Sequence, residues 1–317
     1  MTPLAGRLAR LGLLRFSGAD AAAFLQGQIT NDLRRLASAQ PLLGAQTNVQ
    51  GRVLAVLNLV PHSSGILAIL PDELAAPTAR SLAKFVLRAK VRIEPVGADE
   101  LVVAGQHGTQ TLLAAGCPLP QPAAGYVEWD GIGIGRVAAD PGRCWIIGAR
   151  TRLDALGFGG DPVDAARIEH DWRLADVRAG VPQVYAATRE SFVPQMLNLD
   201  LVGAISFTKG CYTGQEIVAR TQHLGRIKRR LLRVALRAAG GSGAPSVGGL
   251  VRFADGRSGR LSEIQAVDGG FEGLAVAPLE PAGAAAEPAE DTAAPAGAEA
   301  PPLVTQLPLP YALAPAP

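Results

Sequence analysis

The stretch FTKGCYTGQEIVAR, from Phe207 to Arg220, is the most informative part of this 317-residue chain. Thr213 and Glu216 have the spacing of a capping box, so a helix should begin directly after the threonine. Cys211 lies just before that helix, and Lys209 lies two residues further upstream. Helix N-terminal N–H groups and a nearby ammonium both favour a thiolate. The pattern therefore makes Cys211 a candidate reactive thiol.

The same residues allow a purely structural interpretation. In that interpretation Glu216 is simply a helix cap, Lys209 is solvated, and Cys211 is a small buried residue. The two glycines of the motif, Gly210 and Gly214, would let a ligand approach the backbone closely under the first interpretation. The residues by themselves favour neither interpretation.

Composition restricts the classes of protein to which the chain can belong. The three cysteines are far apart and form no CxxC pair, which argues against a disulfide framework and a self-contained zinc or iron–sulfur site. The net charge of +2 is too balanced for a global nucleic-acid-binding protein. No apolar run predicts a signal peptide or a membrane span, and cysteine usage fits a reducing compartment. We therefore expect a cytoplasmic protein that makes no membrane contact.

Hydrophobic patterning predicts mixed α and β units followed by an all-β module. Two apolar runs between Arg52 and Leu70, joined by PHSS, predict a buried hairpin, and Asp164–Ala179 predicts a long helix. From about Arg226, short strands alternate with Gly-rich turns. The Ala/Pro-rich residues 282–302 predict a disordered linker. The apolar residues 303–317 are expected to return to the β module as an edge segment.

The longer stretch Pro194–Arg230 resembles the signature of the YgfZ family, the folate-binding relatives of the glycine-cleavage T-protein. The family pattern K-G-C-Y/F-x-G-Q-E with a trailing arginine is filled at every position. The matching residues are Lys209, Gly210, Cys211, Tyr212, Gly214, Gln215, Glu216 and Arg220. The likeness continues in FLQGQITND, GRVLAVLNL, LRAKVRI and DVRAGVP, so it covers most of residues 10–235.

This resemblance implies an α+β fold of three domains that form a ring around a central channel. Two ferredoxin-like modules, one inserted in the other, would be followed by a small C-terminal β-barrel. On this chain the implied folate-binding module comprises residues 1–46 and 122–224, with 47–121 inserted. The barrel would comprise residues 225–281 and 303–317.

The resemblance also implies a function. The expected cofactor is tetrahydrofolate or a one-carbon derivative, and the expected role is assembly or maintenance of iron–sulfur clusters in client enzymes, including one that thiomethylates tRNA. Cys211 and Lys209 would be the reactive pair. The implied folate contacts are Gln28, Asp32, Asn198, Tyr212, Gln215, Glu216 and Arg220. Carboxylate and carboxamide groups can pair with the amide edge of a pterin, although helix capping is an alternative for Asp32 and Asn198.

One departure separates this chain from a conventional aminomethyltransferase. Glycine-cleavage T-proteins carry two adjacent aspartates where Ala55 and Val56 stand here. Neither side chain can position a substrate amine, so aminomethyl or methyl transfer to a small substrate is the weaker alternative. A third hypothesis is a non-catalytic docking protein whose KGCYTGQE loop is structural. Whether the protein turns over a substrate stays open.

Two further patterns have competing interpretations. The basic run RIKRRLLRVALR, Arg226–Arg237, is either a solvated strand edge or a patch for the folate tail, a client protein or tRNA. The glycines of DGIGIGRV imitate a dinucleotide loop, but their spacing favours a hairpin. The histidines show no metal-ligand spacing, so no metal site is expected.

Overall fold

The structure is a computed structural model, and it describes residues 5–120, 125–137, 140–160, 162–223, 227–237, 244–280 and 301–313. Strands β1 to β15 are, in order, Ala5–Arg7, Leu11–Ser17, Leu42–Thr47, Val53–His62, Gly65–Pro71, Arg92–Val96, Val102–His107, Tyr126–Trp129, Ile132–Val137, Asp140–Gly148, Arg229–Arg237, Leu250–Phe253, Ser258–Val267, Gly270–Pro278 and Leu303–Leu307. Helices α1 to α6 are Ala21–Gln26, Asp72–Ala83, Gln110–Ala114, Arg150–Leu153, Pro162–Ala179 and Gln215–His223. Among the described residues, no helix combines the length and the apolar character that crossing a membrane requires.

The first unit comprises Met1–Thr47, Ala55–Trp172 and Ala204–Thr213, and it contains two five-stranded sheets. One has the order β3-β4-β5-β2-β6. Its β4 and β5 form the predicted hairpin, in which His62 pairs with Gly65. Successive side chains of β4 are buried, which shows that both faces of this strand are covered.

The other sheet of the first unit has the order β1-β7-β10-β9-β8. Its hairpin of β8 and β9 contains the DGIGIGRV stretch, which confirms the hairpin interpretation. A Cβ at Gly133 would lie 1.8 Å from the hydroxyl oxygen of Tyr126. Glycine is therefore required there for packing inside the sheet and not for binding a nucleotide.

The second unit comprises Asn48–Leu54, Arg173–Gly203 and Gly214–Pro317, and its strands pair in a closed circuit, β11-β14-β13-β12-β15. Strand β15 pairs antiparallel with β11 and parallel with β12. The terminal segment is therefore not an edge segment as predicted, because both of its edges are hydrogen-bonded. It can close the circuit because Leu303–Leu307 contains no proline, and Pro308 lies just after the strand.

The α+β class and the C-terminal β module are confirmed by these sheets. Strand pairing groups the chain differently from the implied module boundaries, since β2 and β3 share a sheet with β4, and β7 shares one with β8 to β10. The boundaries stay a prediction about which segments fold as units. Residues 282–300 of the predicted linker lie outside the described residues.

The strand-edge interpretation of the basic run is wrong, and its interpretation as a binding patch stays a prediction. Residues Arg229–Arg237 of the run form β11, which pairs on both sides with β14 and β15, so the strand is not an edge. Arg230 is buried, and its guanidinium donates to the Asp200 carboxylate at 2.6 and 3.0 Å and to the Gln195 carbonyl at 3.0 Å. Arg233 donates to Glu272. Two of the cations in this run are therefore occupied inside the second unit.

Replacement of Asp200 by alanine should strongly destabilise the β11–β14 region. The substitution leaves the Arg230 guanidinium buried without its counter-ion, and breaking such a pair costs about 3–5 kcal/mol. Hydrogen exchange of the β11 and β14 amides measures this loss. The exposed Arg167–Asp164 pair provides a control. Arg167→Gln should change the free energy of opening that hydrogen exchange reports for the β11 and β14 amides by less than about 1 kcal/mol. Equal effects of the two substitutions would contradict the assignment.

Candidate functional site

Lys209 connects the KGCY loop to the first helix. Its side chain is 6 % exposed, and its ammonium donates to the carbonyl oxygen of Gln26 and, at 2.7 Å, to that of Ile29. Carbonyls at the end of α1 have no partner within the helix, and a cation is favourable at that end. This contact joins two sequence motifs that are 180 residues apart. The predicted alternative in which Lys209 is solvated is therefore wrong.

Burial sets the ionisation of the two side chains that flank Cys211. It lowers the pKa of Lys209 to about 8, a change that the negative charge of Asp32 opposes. It raises the pKa of Tyr212 to about 12. The Lys209 Nζ atom lies 5.0 Å from the centroid of the Tyr212 ring, which is within range of a cation–π interaction.

Threonine hydroxyls fix the loop on both sides of the motif. The Thr30 hydroxyl donates to the Ala204 carbonyl at 2.7 Å and accepts from the Ala45 N–H at 2.9 Å. The Thr47 hydroxyl donates to the carbonyl of Thr213. The chain is therefore held before and after the cysteine by contacts to the segment around α1 and to β3.

Cys211 is exposed, whereas Cys117 and Cys144 are buried. Burial raises the pKa of both buried thiols. The interpretation of Cys211 as a small buried residue is therefore wrong. A Cβ at Gly210 would meet no atom within 4 Å, so the backbone beside the thiol borders open space. A held loop thus presents one accessible sulfur between two buried neighbours.

Asp32 is bound by other residues of the first unit. It precedes the 3₁₀ turn Leu33–Ser38 and accepts from the Arg34 N–H, while the Arg34 Nε lies 3.0 Å from each carboxylate oxygen. Hydrogen bonds from Arg34 hold the pKa of this carboxyl well below its usual range. These contacts agree with the capping alternative. Gln28 lies nearby, partly exposed. Folate contacts by both residues stay predictions.

Two buried amides in the second unit each have one oxygen without a partner among the described residues. Gln195 Nε2 donates to the Val218 carbonyl at 2.7 Å, and Asn198 Nδ2 donates to the Leu231 carbonyl at 2.9 Å. Both side chains are 0 % exposed, and the Gln195 Oε1 and Asn198 Oδ1 atoms lack a described donor. Gln195 lies within the 3₁₀ turn Pro194–Leu197, and Asn198 follows that turn directly as its C-cap.

Sequence reasoning selected Asn198 and missed Gln195. The available signal was the spacing P-Q-x-x-N, with two carboxamides three residues apart. Asn198 has a φ of 57°, a left-handed conformation that asparagine tolerates better than most residues. Its Nδ2 also lies 3.2 Å from the hydroxyl of Tyr311, which donates to the Gly180 carbonyl at 2.7 Å. The C-terminal segment therefore supports this amide.

The remaining predicted residues lie on α6, which begins within one residue of its predicted start. Glu216 and Arg220 are exposed and four residues apart, so they share a helix face, and Gln215 is partly exposed. Their roles stay predictions. Within the described ranges, no group of three or more His, Cys, Asp or Glu side chains could hold a metal ion.

Comparison with known proteins gives sequence relatives and a structure of similar fold, although no family model matches the chain. The tRNA-modifying protein YgfZ of Colwellia psychrerythraea is 32% identical over 228 residues, which cover 71% of this chain and 69% of that protein. The protein of the same name from Edwardsiella ictaluri is 33% identical over 252 residues, covering 72% of each. The glycine cleavage system aminomethyltransferase T of Bartonella henselae matches with a TM-score of 0.67 and 15% identity, over 87% of this chain and 78% of that one. This last similarity shows the fold alone.

The pH dependence of stability should reveal the buried ammonium of Lys209. Its pKa is about 8 in the folded protein and 10.5 ordinarily, so between these values the unfolded chain holds a proton that the folded protein has released. The unfolding free energy of the wild type relative to Lys209→Met should therefore be constant below pH 8 and rise by up to about 3 kcal/mol as the pH approaches 10.5. Urea unfolding of both proteins across this range measures the difference. A difference that does not change with pH would contradict burial of the ammonium.

Alkylation should distinguish the three thiols. Iodoacetamide at neutral pH should label Cys211 in the native protein and leave Cys117 and Cys144 unmodified, because reaction requires an accessible thiolate. Mass spectrometry of the native and the denatured protein provides the count, and denaturation should expose all three sites. Native protection of Cys211 would show that its sulfur is not accessible.

Proposed function

This chain belongs to the YgfZ family of tRNA-modifying proteins, and from that premise we propose that it binds tetrahydrofolate and supports the assembly or maintenance of iron–sulfur clusters in client enzymes. Enzymes that thiomethylate tRNA would be among these clients. The proposal rests above all on the exposed Cys211 thiol, which the buried side chains of Lys209 and Tyr212 flank on a held loop.

Cys211 would act as a transient ligand of iron. A cluster needs about four ligands, and the described part of the chain contains no group that could supply the others. The cluster would therefore be shared with the client protein or with small thiols. In such an exchange the Cys211 thiolate replaces another thiolate on iron, and the departing thiolate takes up the proton that Cys211 released. Lys209 would act by positioning, since its ammonium donates to Gln26 and Ile29.

The buried amides of the second unit fit a pterin. Tetrahydrofolate, when bound, supplies an amine that carries one-carbon units. Its pterin ring presents N–H donors along one edge, and the Gln195 Oε1 and Asn198 Oδ1 atoms are buried acceptors that no described donor satisfies. An unsatisfied buried acceptor costs free energy that a ligand donor would recover. These two residues would therefore hold the pterin edge, with Tyr311 supporting Asn198.

The alternative, a folate-dependent aminomethyl or methyltransferase, has weaker support. Ala55 and Val56 are fully buried in β4, and they offer only hydrocarbon where T-proteins carry aspartates. Formaldehyde production from a secondary amine, coupled to folate and catalysed by the purified protein, would favour this alternative.

Genetic complementation and folate binding together test the proposal. In a strain that lacks the native gene, Cys211→Ser should reduce tRNA thiomethylation severely, while the purified variant should bind tetrahydrofolate as the wild type does. Thr208→Ala is the matched control, because it removes an exposed side chain from the same loop, and it should restore thiomethylation fully. Full restoration by Cys211→Ser would favour the docking-protein hypothesis.

The test of folate binding by the second unit uses a substitution at a buried residue. Gln195→Leu should weaken tetrahydrofolate binding by at least about fivefold, the equivalent of one hydrogen bond of about 1 kcal/mol. Ser262→Ala removes another buried side chain that donates to a carbonyl, that of Leu274, and it should leave binding unchanged. Calorimetric titration measures both. Unchanged binding by Gln195→Leu would exclude this amide as a pterin contact.

A further inference from the structure

A short loop after α2 combines exposed cations with exposed apolar side chains. We name residues 84–90, KFVLRAK, the KFVLRAK loop. Phe85 is 43% exposed and Leu87 is 89% exposed, which are large fractions for side chains of their size. Lys84, Arg88 and Lys90 are also exposed. The loop therefore places two large apolar side chains in water beside three exposed cations.

The three cations of the loop have no anionic partner among the described residues. By contrast, Arg34 is paired with Asp32, and Arg230 is paired with Asp200. The Asp20 carboxylate accepts from the backbone N–H of Lys90 at 2.6 Å and makes no described ion pair with the Lys90 ammonium. A lysine at the end of a helix, such as Lys84, is favourable for that helix, but this does not account for the cations further along the loop.

Backbone hydrogen bonds hold the loop at both ends. The N–H groups of Phe85 and Val86 donate to the carbonyls of Leu82 and Ala83, which continues the last turn of α2. At the other end, the Asp20 carboxylate binds the N–H of Lys90, and the Asp20 N–H donates to the Lys90 carbonyl at 3.2 Å. The side chains between these anchors are therefore presented on a backbone whose ends are fixed.

We propose that the KFVLRAK loop binds RNA, with Lys84, Arg88 and Lys90 contacting phosphates and Phe85 stacking on an unpaired base of a tRNA. The proposal rests on the proposed function, in which the client reaction takes place on tRNA. Proteins that bind single-stranded nucleic acid combine cations that follow the backbone with aromatic rings on which bases stack. The loop supplies both within seven consecutive residues.

Other partners fit the loop less well. A membrane-bound helix needs a broad apolar face, whereas this segment offers two large apolar side chains and no helix beyond Ala83. A stable protein interface needs about 800 Å² on each partner, which a seven-residue loop does not provide alone. The basic run on β11 is a poorer RNA site, because Arg230 and Arg233 are held by carboxylates. A polyanion with exposed bases matches the loop best.

The test measures binding of unfractionated tRNA to the full chain by fluorescence anisotropy across a salt series. Substitution of Lys84, Arg88 and Lys90 by glutamine should weaken binding by at least about tenfold at low salt and lower the log–log salt slope by about 2, since each lost single-strand phosphate contact contributes about 0.7. Phe85→Ala should weaken binding by about fivefold or more, and Phe85→Tyr should restore it, because any base stacks on an aromatic ring.

The matched control removes the same charge elsewhere. Arg35, Arg150 and Arg252 are exposed, and their combined replacement by glutamine should leave both affinity and slope near the wild-type values. Equal losses in the two triple variants, or no tRNA binding by the wild type at low salt, would overturn the proposal. Tighter binding to phosphatidylglycerol vesicles than to tRNA would overturn it in favour of a membrane surface.

Folate binding is measured on the same proteins to separate this proposal from the proposed function. The loop variants should bind tetrahydrofolate normally. Loss of tRNA binding with intact folate binding supports the loop assignment. Failure of the wild type to bind folate would count against the proposed function and would leave the tRNA result as an independent measurement.

Discussion

The KGCY loop depends on the ammonium of Lys209, which binds the Gln26 carbonyl at the end of α1 and the Ile29 carbonyl three residues beyond it. A buried ammonium is costly unless its donors are satisfied, and terminal helix carbonyls need donors from outside the helix. The hydrogen bond to Gln26 meets both requirements at once, and the hydrogen bond to Ile29 satisfies a second donor of the ammonium. With this lysine and Tyr212 directed inward, Cys211 is left facing solvent. The position of the thiol is thus a consequence of how its neighbours are buried.

A related constraint acts on the amides of the second unit. Gln195 and Asn198 each direct their N–H donors at a backbone carbonyl, which leaves only oxygen acceptors for a ligand. In the function proposed above, such a pair would accept hydrogen bonds from the pterin. Because Tyr311 contacts Asn198 and Gly180, the return of the C-terminal segment would support that contact, and it also closes the strand circuit.

Whether a positive side chain is available to a partner depends on whether a carboxylate of the same protein already binds it. The most basic stretch of the sequence lies on β11, yet Arg230 and Arg233 there are held by carboxylates inside the second unit. The KFVLRAK loop is less conspicuous by composition, but its cations have no such partners in the described part of the chain. Cations without a carboxylate partner would therefore contribute more to the attraction of a polyanion than cations that are already paired.

Local patterns in the sequence were sufficient for the α+β class, the β4–β5 hairpin, helix α5, the start of α6 and the recognition of the KGCYTGQE motif, because periodicity, capping and motif spacing are properties of neighbouring residues. They were not sufficient for the burial of Arg230, the place of β15 between two strands, or the unsatisfied oxygen of Gln195. Each of these depends on groups far apart in the chain, and a charged or carboxamide side chain acquires its role from whichever donor or acceptor packing brings within hydrogen-bond distance. Only the tertiary structure makes that choice.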